Sequence, residues 1–95
     1  MVIYIAGPIT GVENYRKPFE LAAKLLEKQG HTVLTPIVHP EGLTRGQYMR
    51  MCLAMIDSAD AVYFLEGWEK SDGATIEHAY SVYVRKIVFY ETDID

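Results

Sequence analysis

The stretch that most constrains the fold is Asp60 to Tyr83, DAVYFLEGWEKSDGATIEHAYSVY, because the hydrophobic period changes within it. Ala61-Val62-Tyr63-Phe64-Leu65 is an unbroken apolar run, rich in the β-branched and aromatic residues that suit a strand covered on both faces. Glu66 to Gly73 is a polar, glycine-containing turn. Beyond it Ile76, Ala79, Tyr80, Tyr83 and Val84 fall at i, i+3, i+4, i+7 and i+8, which predicts an amphipathic helix buried along that stripe. Strand, loop and helix make half of a βαβ unit, and ligands of open α/β sheets bind outside the carboxyl ends of strands. Glu77 stands in the first two turns of that helix, four residues after Gly73, whose missing side chain leaves room for a substrate to approach the carboxylate. Glu77 is therefore the first candidate for a nucleophile or base. The competing reading is a solvated carboxylate near a helix N-terminus, where the helix dipole favours negative charge.

The remaining segments repeat the alternation. Met1 to Ala6 reads as a central strand, broken by the turn chemistry of Gly7-Pro8-Ile9-Thr10-Gly11. A helix from about Tyr15 to Gln29 carries the stripe Phe19, Ala22, Ala23, Leu25 and Leu26, and Gly30 supplies its left-handed stop. His31 to Thr35 is a short second strand and Pro36 to Leu43 a loop. Thr44 and Gln47 have capping-box spacing ahead of a helix with the stripe Tyr48, Met51, Cys52, Met55, Ile56 and Ala59. Ile87 to Tyr90 is a fourth strand, followed by an acidic tail, Glu91 to Asp95. The order βαβαβαβ with right-handed crossovers predicts one α/β domain over residues 1–95. It is a small Rossmann/flavodoxin-like three-layer sandwich with a four-stranded parallel sheet in the order 2-1-3-4.

Composition excludes several classes of function. A net charge of −4 with nine scattered cations argues against duplex nucleic acid as a partner. The longest apolar runs are far below the roughly 18 residues that span a bilayer, and Val2 to Ala6 has no basic segment ahead of it, so no membrane partner is expected. One cysteine, Cys52, rules out an internal disulfide and fits a reducing cytoplasm. An aromatic content of 12% is more than so small a core easily hides, which predicts a homodimer or larger assembly. Tyr48, Met49, Met51, Met55, Tyr80 and Tyr83 make the second and third helices the expected contact.

Other side chains admit two readings each. The Gly7–Gly11 turn could cradle a phosphate or sugar with its backbone N–H groups and the Thr10 hydroxyl, or simply join strand to helix. Trp68, beside a strand end, is a hydrophobic lid or a stacking surface for a base. Cys52 sits on an apolar stripe, as a buried inert thiol does. His78 points about 100° away from Glu77 around the helix, so the two are not a natural pair. His31 and His39 have no ligand cluster around them, and neither metal nor any other cofactor is expected.

At YIAGPITG, AMIDSADAVYFL and GWEKSDGATIEHAY the chain resembles the nucleoside 2-deoxyribosyltransferase-like family, over nearly its whole length. The likeness includes the 2′-deoxynucleoside 5′-phosphate N-hydrolases, and is strongest for short members borne by phages and prophages. The resemblance implies that Glu77 is the nucleophile, with Gly73 at the family spacing before it, and that Ser71 is the serine contacting a 5′-phosphate. It places Gly7, Pro8, Thr10 and Gly11 in the loop lining the sugar or phosphate, with Tyr4, Trp68 and Gly73 as further substrate contacts. Cys52 stands where the family usually has an aspartate that assists at the base or sugar. A thiol, neutral at pH 7 with a reference pKa of about 8.5, cannot replace that charge. The implied ligand is a nucleoside or nucleotide, and the implied chemistry is cleavage or transfer of its N-glycosidic bond. Two alternatives belong to other classes: a binding protein that keeps the pocket without turnover, and a small interaction module without a ligand.

Overall fold

The computed structural model describes residues 1–93, so the last two residues of the acidic tail lie outside it. Strands β1 (Val2–Ala6), β2 (Thr32–Leu34), β3 (Ala61–Phe64) and β4 (Ile87–Tyr90) form one sheet in the order β2-β1-β3-β4. All three pairings are parallel, with Tyr4 opposite Leu34 on one side and Val62 on the other. Helices α1 (Arg16–Lys28), α2 (Arg45–Ser58) and α3 (Asp72–Tyr83) connect them. The fold is Rossmann/flavodoxin-like, with the expected strand order.

The two central strands are apolar at every position because both faces are covered. Ile3, Ile5, Ala61 and Tyr63 meet Phe19, Ala22 and Leu26 of α1. Tyr4, Ala6, Val62 and Phe64 meet Cys52 and Ile56 of α2 on the opposite face, where Tyr80 of α3 also packs. The α2 start is a full capping box: Gln47 N–H donates to Thr44 Oγ1 at 3.1 Å, and Thr44 N–H to Gln47 Oε1 at 2.9 Å. Gly30, at φ +93°, turns the chain out of α1 as expected. The loop after β2 contains a 3-10 turn at Pro36–Val38, tied to α1 by Arg16 Nη1 donating to Ile37 O at 2.9 Å.

The third helix departs from its expected face. Ile76, Ala79, Tyr83 and Val84 are exposed, Tyr83 at 86%, and the buried residues of α3 are Ala74, Glu77 and Ser81. Periodicity assumes that buried positions are apolar. Here Ser81 Oγ donates to Glu77 O at 2.7 Å, and Glu77 has a partner on β1, so both polar residues are buried with partners. On α2, likewise, Met51 of the expected stripe is exposed. Among the described residues α1 is the one helix on its face of the sheet, which leaves Ile87 and Phe89 of β4 half exposed there, at 51% and 38%.

These burials separate two side chains of similar size. Phe19→Ala, at a fully buried site between α1 and the sheet, should cost about 3–5 kcal/mol. Tyr83→Ser should stay within about 0.5 kcal/mol of wild type, despite lying on the apolar stripe of the sequence. Urea unfolding of the two variants checks the assignment.

Candidate functional site

Four segments meet at the carboxyl ends of β1 and β3: the turn after β1, the start of α2, the loop after β3 and the first turns of α3. They enclose a cavity of about 460 Å³ lined by Gly7, Ile9, Thr10, Arg45, Tyr48, Met49, Lys70, Ser71, Gly73 and Glu77, among others. Glu77 is 5% exposed, and Tyr4, fully buried in the middle of β1, donates its hydroxyl hydrogen bond to Glu77 Oε2. Burial raises the Glu77 carboxyl to about 7, while the hydroxyl of Tyr4 and the thiol of Cys52 pull the other way. Burial likewise pushes the Cys52 thiol up to about 11, with the neighbouring Glu77 adding to the rise and the nearby hydroxyls of Tyr4 and Tyr48 offsetting part of it. The Tyr4 hydroxyl stands well above the ordinary phenol range, first from burial and then from Glu77 and Cys52. The result is a carboxylate that ionises near neutrality above a floor of neutral acids.

Of the residues singled out in the sequence, Gly7, Thr10, Ser71, Gly73 and Glu77 share this cavity lining. Tyr4 and Cys52 lie beneath it, fully buried, so Tyr4 reaches a ligand only through Glu77. Pro8, Gly11 and Trp68 do not line this cavity. Pro8 lies beside Gly67, where a Cβ would come within 3.6 Å of its Cγ. Gly11, at φ +76°, serves the turn. Trp68 stacks on His78, with ring centroids 4.1 Å apart, and packs beside Phe64 and Tyr90. His78 Nε2 is 2.7 Å from Tyr90 Oη, and this aromatic cluster occupies it apart from Glu77.

Ser71 has a structural task as well. Its Oγ caps α3 by accepting from Ala74 N–H at 3.2 Å, leaving its own proton for another acceptor. Arg45 and Lys70 were missed in the sequence, since scattered cations give no pattern until the fold gathers them. A second cavity of about 380 Å³ adjoins the first and shares Ile9, Thr10, Arg45 and Tyr48 with it. It extends to Pro36, His39 and Leu43, in the loop after β2. Among the described residues no three His, Cys, Asp or Glu side chains converge as metal ligands, and no helix is long and apolar enough to cross a membrane.

A family model described as "Domain of unknown function (DUF4406)" matches residues 1–90. Comparison with curated proteins gives no match. Among solved structures, a 2-desoxiribosyltransferase from Leishmania mexicana superimposes with a TM-score of 0.74 at 20% identity, covering 94% of this chain and 62% of that one. The likeness is one of fold, and the chain spans less than two thirds of that protein's length.

Two of the cavity glycines, Gly7 and Gly73, differ in what demands them. A Cβ on Gly7 would lie 2.8 Å from Leu65 Cδ1 and 2.9 Å from its Cβ, so the close approach of β1 and β3 alone requires glycine there. A Cβ on Gly73 would meet only Met49 Cε, at 3.7 Å, an ordinary contact. Gly7→Ala should therefore cost about 1–3 kcal/mol. Gly73→Ala should be neutral or stabilise by up to about 1 kcal/mol, because alanine is the better helix residue. Thermal or urea unfolding of the pair reads the difference.

Proposed function

The chain belongs to the DUF4406 family, and we propose that it binds a nucleoside or nucleotide and cleaves or transfers the N-glycosidic bond through Glu77. The observation that carries this reading is the Glu77 carboxyl itself: 5% exposed, tied to Tyr4, raised to about 7 and set in the wall of a cavity at the carboxyl ends of the central strands. Buried carboxyls with specific partners in a cleft are found where chemistry is done. The fold likeness to a deoxyribosyltransferase adds support.

In this mechanism ionised Glu77 attacks the anomeric carbon, and the bond from that carbon to the base nitrogen breaks. The base departs with the electron pair and takes up a proton. Water or a second base then attacks the anomeric carbon, and the carboxylate is released unchanged. Tyr4, donating to Oε2, holds the carboxylate in place and stabilises its charge when the ester breaks down. The Ser71 and Thr10 hydroxyls, with the cations Arg45 and Lys70, favour an anionic substituent such as a 5′-phosphate on the sugar.

A second reading, a binding protein without turnover, is favoured by Cys52, a neutral thiol where the resembled family carries an aspartate. Self-association is part of the proposal. Met51, Ile76, Val82 and Tyr83 are exposed on α2 and α3, and a second copy of the chain would cover them. A molar mass that rises from monomer to dimer with concentration is expected in light scattering, and a constant monomer mass would remove that part.

Turnover is tested by incubating deoxynucleosides and their monophosphates with the protein and following free base by chromatography. Glu77→Ala should abolish base release while leaving ligand affinity much less changed. Because only the ionised carboxylate attacks, the rate should fall as pH drops below about 7. The same carboxyl predicts an opposite trend in stability. Its folded pKa is raised from 4.5 to about 7, so the folded chain holds the proton more tightly than the unfolded one. Stability is then lost as pH rises from the lower value to the higher, by up to about 3 kcal/mol. Glu77→Gln should recover most of that loss at about pH 8 and little at about pH 4.5. Base release that persists in Glu77→Ala would eliminate the nucleophile assignment.

A further inference from the structure

Departure of the base requires a polar group to meet the electron pair it carries away. Position 52 is badly placed for that. Cys52 is fully buried beneath Glu77, and its thiol is too weak an acid, at about 11, to protonate a leaving group near neutrality. The second cavity offers a different partner. His39 and Tyr48 both line it, their rings meeting edge to face with centroids 5.5 Å apart. His39 Nε2 and Tyr48 Oη are buried and hydrogen-bond to nothing in the protein. Two such atoms on neighbouring rings are unusual, because burying a polar group without a partner is costly. Around them Ile9, Pro36 and Leu43 supply apolar walls, the mixture expected of a small-molecule site.

We infer that this second cavity receives the leaving or accepting group, a planar nitrogen heterocycle, and that His39 and Tyr48 are its polar partners in place of position 52. The inference rests on the reading of Glu77 given above. Tyr48 and Thr10 line both cavities, so a ligand with its sugar at Glu77 extends naturally into the second. Neither polar atom is open to solvent. Contact therefore requires the two rings to turn, and pairing with the heterocycle's ring nitrogens and exocyclic groups offsets that motion. An imidazole and a phenol can each donate or accept, which matches an edge that alternates donors and acceptors. Substituting them should change which bases bind, and should leave sugar phosphate binding untouched.

The test uses calorimetric titration of the full chain with adenine, hypoxanthine, cytosine and thymine, and separately with deoxyribose 5-phosphate. Tyr48→Phe and His39→Leu should each weaken binding of the preferred base by about tenfold, the effect of one lost hydrogen bond. They should also alter the ranking among the four bases and leave deoxyribose 5-phosphate affinity unchanged. The unliganded variants should melt at or above the wild-type temperature, since an unpaired buried group has been removed. Unchanged base affinities and ranking in both variants, with Glu77→Ala still abolishing base release, would overturn this inference and leave the proposed function standing. Parallel losses for bases and sugar phosphate, with lowered melting temperatures, would reduce the pair to a structural role and overturn it too. A wild-type chain that binds none of the four bases and releases none would overturn the proposed function, and this inference with it.

Discussion

The hydrogen bond from Tyr4 to Glu77 joins the centre of the sheet to the helix that bears the candidate nucleophile. Tyr4 is on the innermost strand and fully buried, and Glu77 is on the inner face of α3. A phenol in mid-strand and a carboxyl in mid-helix would each be costly to bury alone, and each makes the other tolerable. The bond therefore fixes how α3 sits on the sheet as well as where the carboxylate points. It also explains why α3 buries Ala74, Glu77 and Ser81 while Tyr83 stands in solvent. The helix is oriented by its polar partners and by the close packing that small residues allow, more than by its apolar stripe.

The same device sets the carboxylate's chemistry. Desolvation raises Glu77 and the Tyr4 hydrogen bond restrains the rise, leaving a group that ionises near neutrality. Deeper burial without the phenol would keep the carboxyl protonated and inert as a nucleophile. Free exposure would lower its pKa and its basicity together. Tyr4 thus tunes the carboxylate from beneath.

Most of the fold was legible in the sequence for a physical reason. Uninterrupted apolar runs at Val2–Ala6 and Ala61–Leu65 have few solutions other than central parallel strands. The Thr44–Gln47 box and Gly30 mark helix ends through hydrogen bonds and backbone conformation that act locally. The site was half legible. Glu77 and Gly73 stood out by spacing, Gly7 and Thr10 by turn chemistry and Ser71 by the family resemblance, and all five line one cavity. A tryptophan beside a strand end gives no sign of its neighbours, and the stacking of Trp68 on His78 comes from tertiary packing. Arg45 and Lys70 were silent because no local pattern marks them, and Tyr48 and His39 showed as a stripe residue and a loop residue with nothing to join them to a cavity. They belong to the start of α2 and to two loops that only tertiary packing brings together.

The uncovered half of the α1 face bears on how so small a chain can hold a site of this kind. A sheet of four strands offers two faces, and three helices cannot cover both evenly. The chain places two of them, α2 and α3, on the face that carries Tyr4, Cys52 and Glu77, and leaves Ile87 and Phe89 half exposed on the other. Low dielectric around the carboxyl depends on that choice, since the raised pKa comes first from burial. A single helix over the site would have admitted water to Glu77 and returned it to an ordinary surface acid. The apolar edge left at β4 follows from keeping the site dry with only three helices.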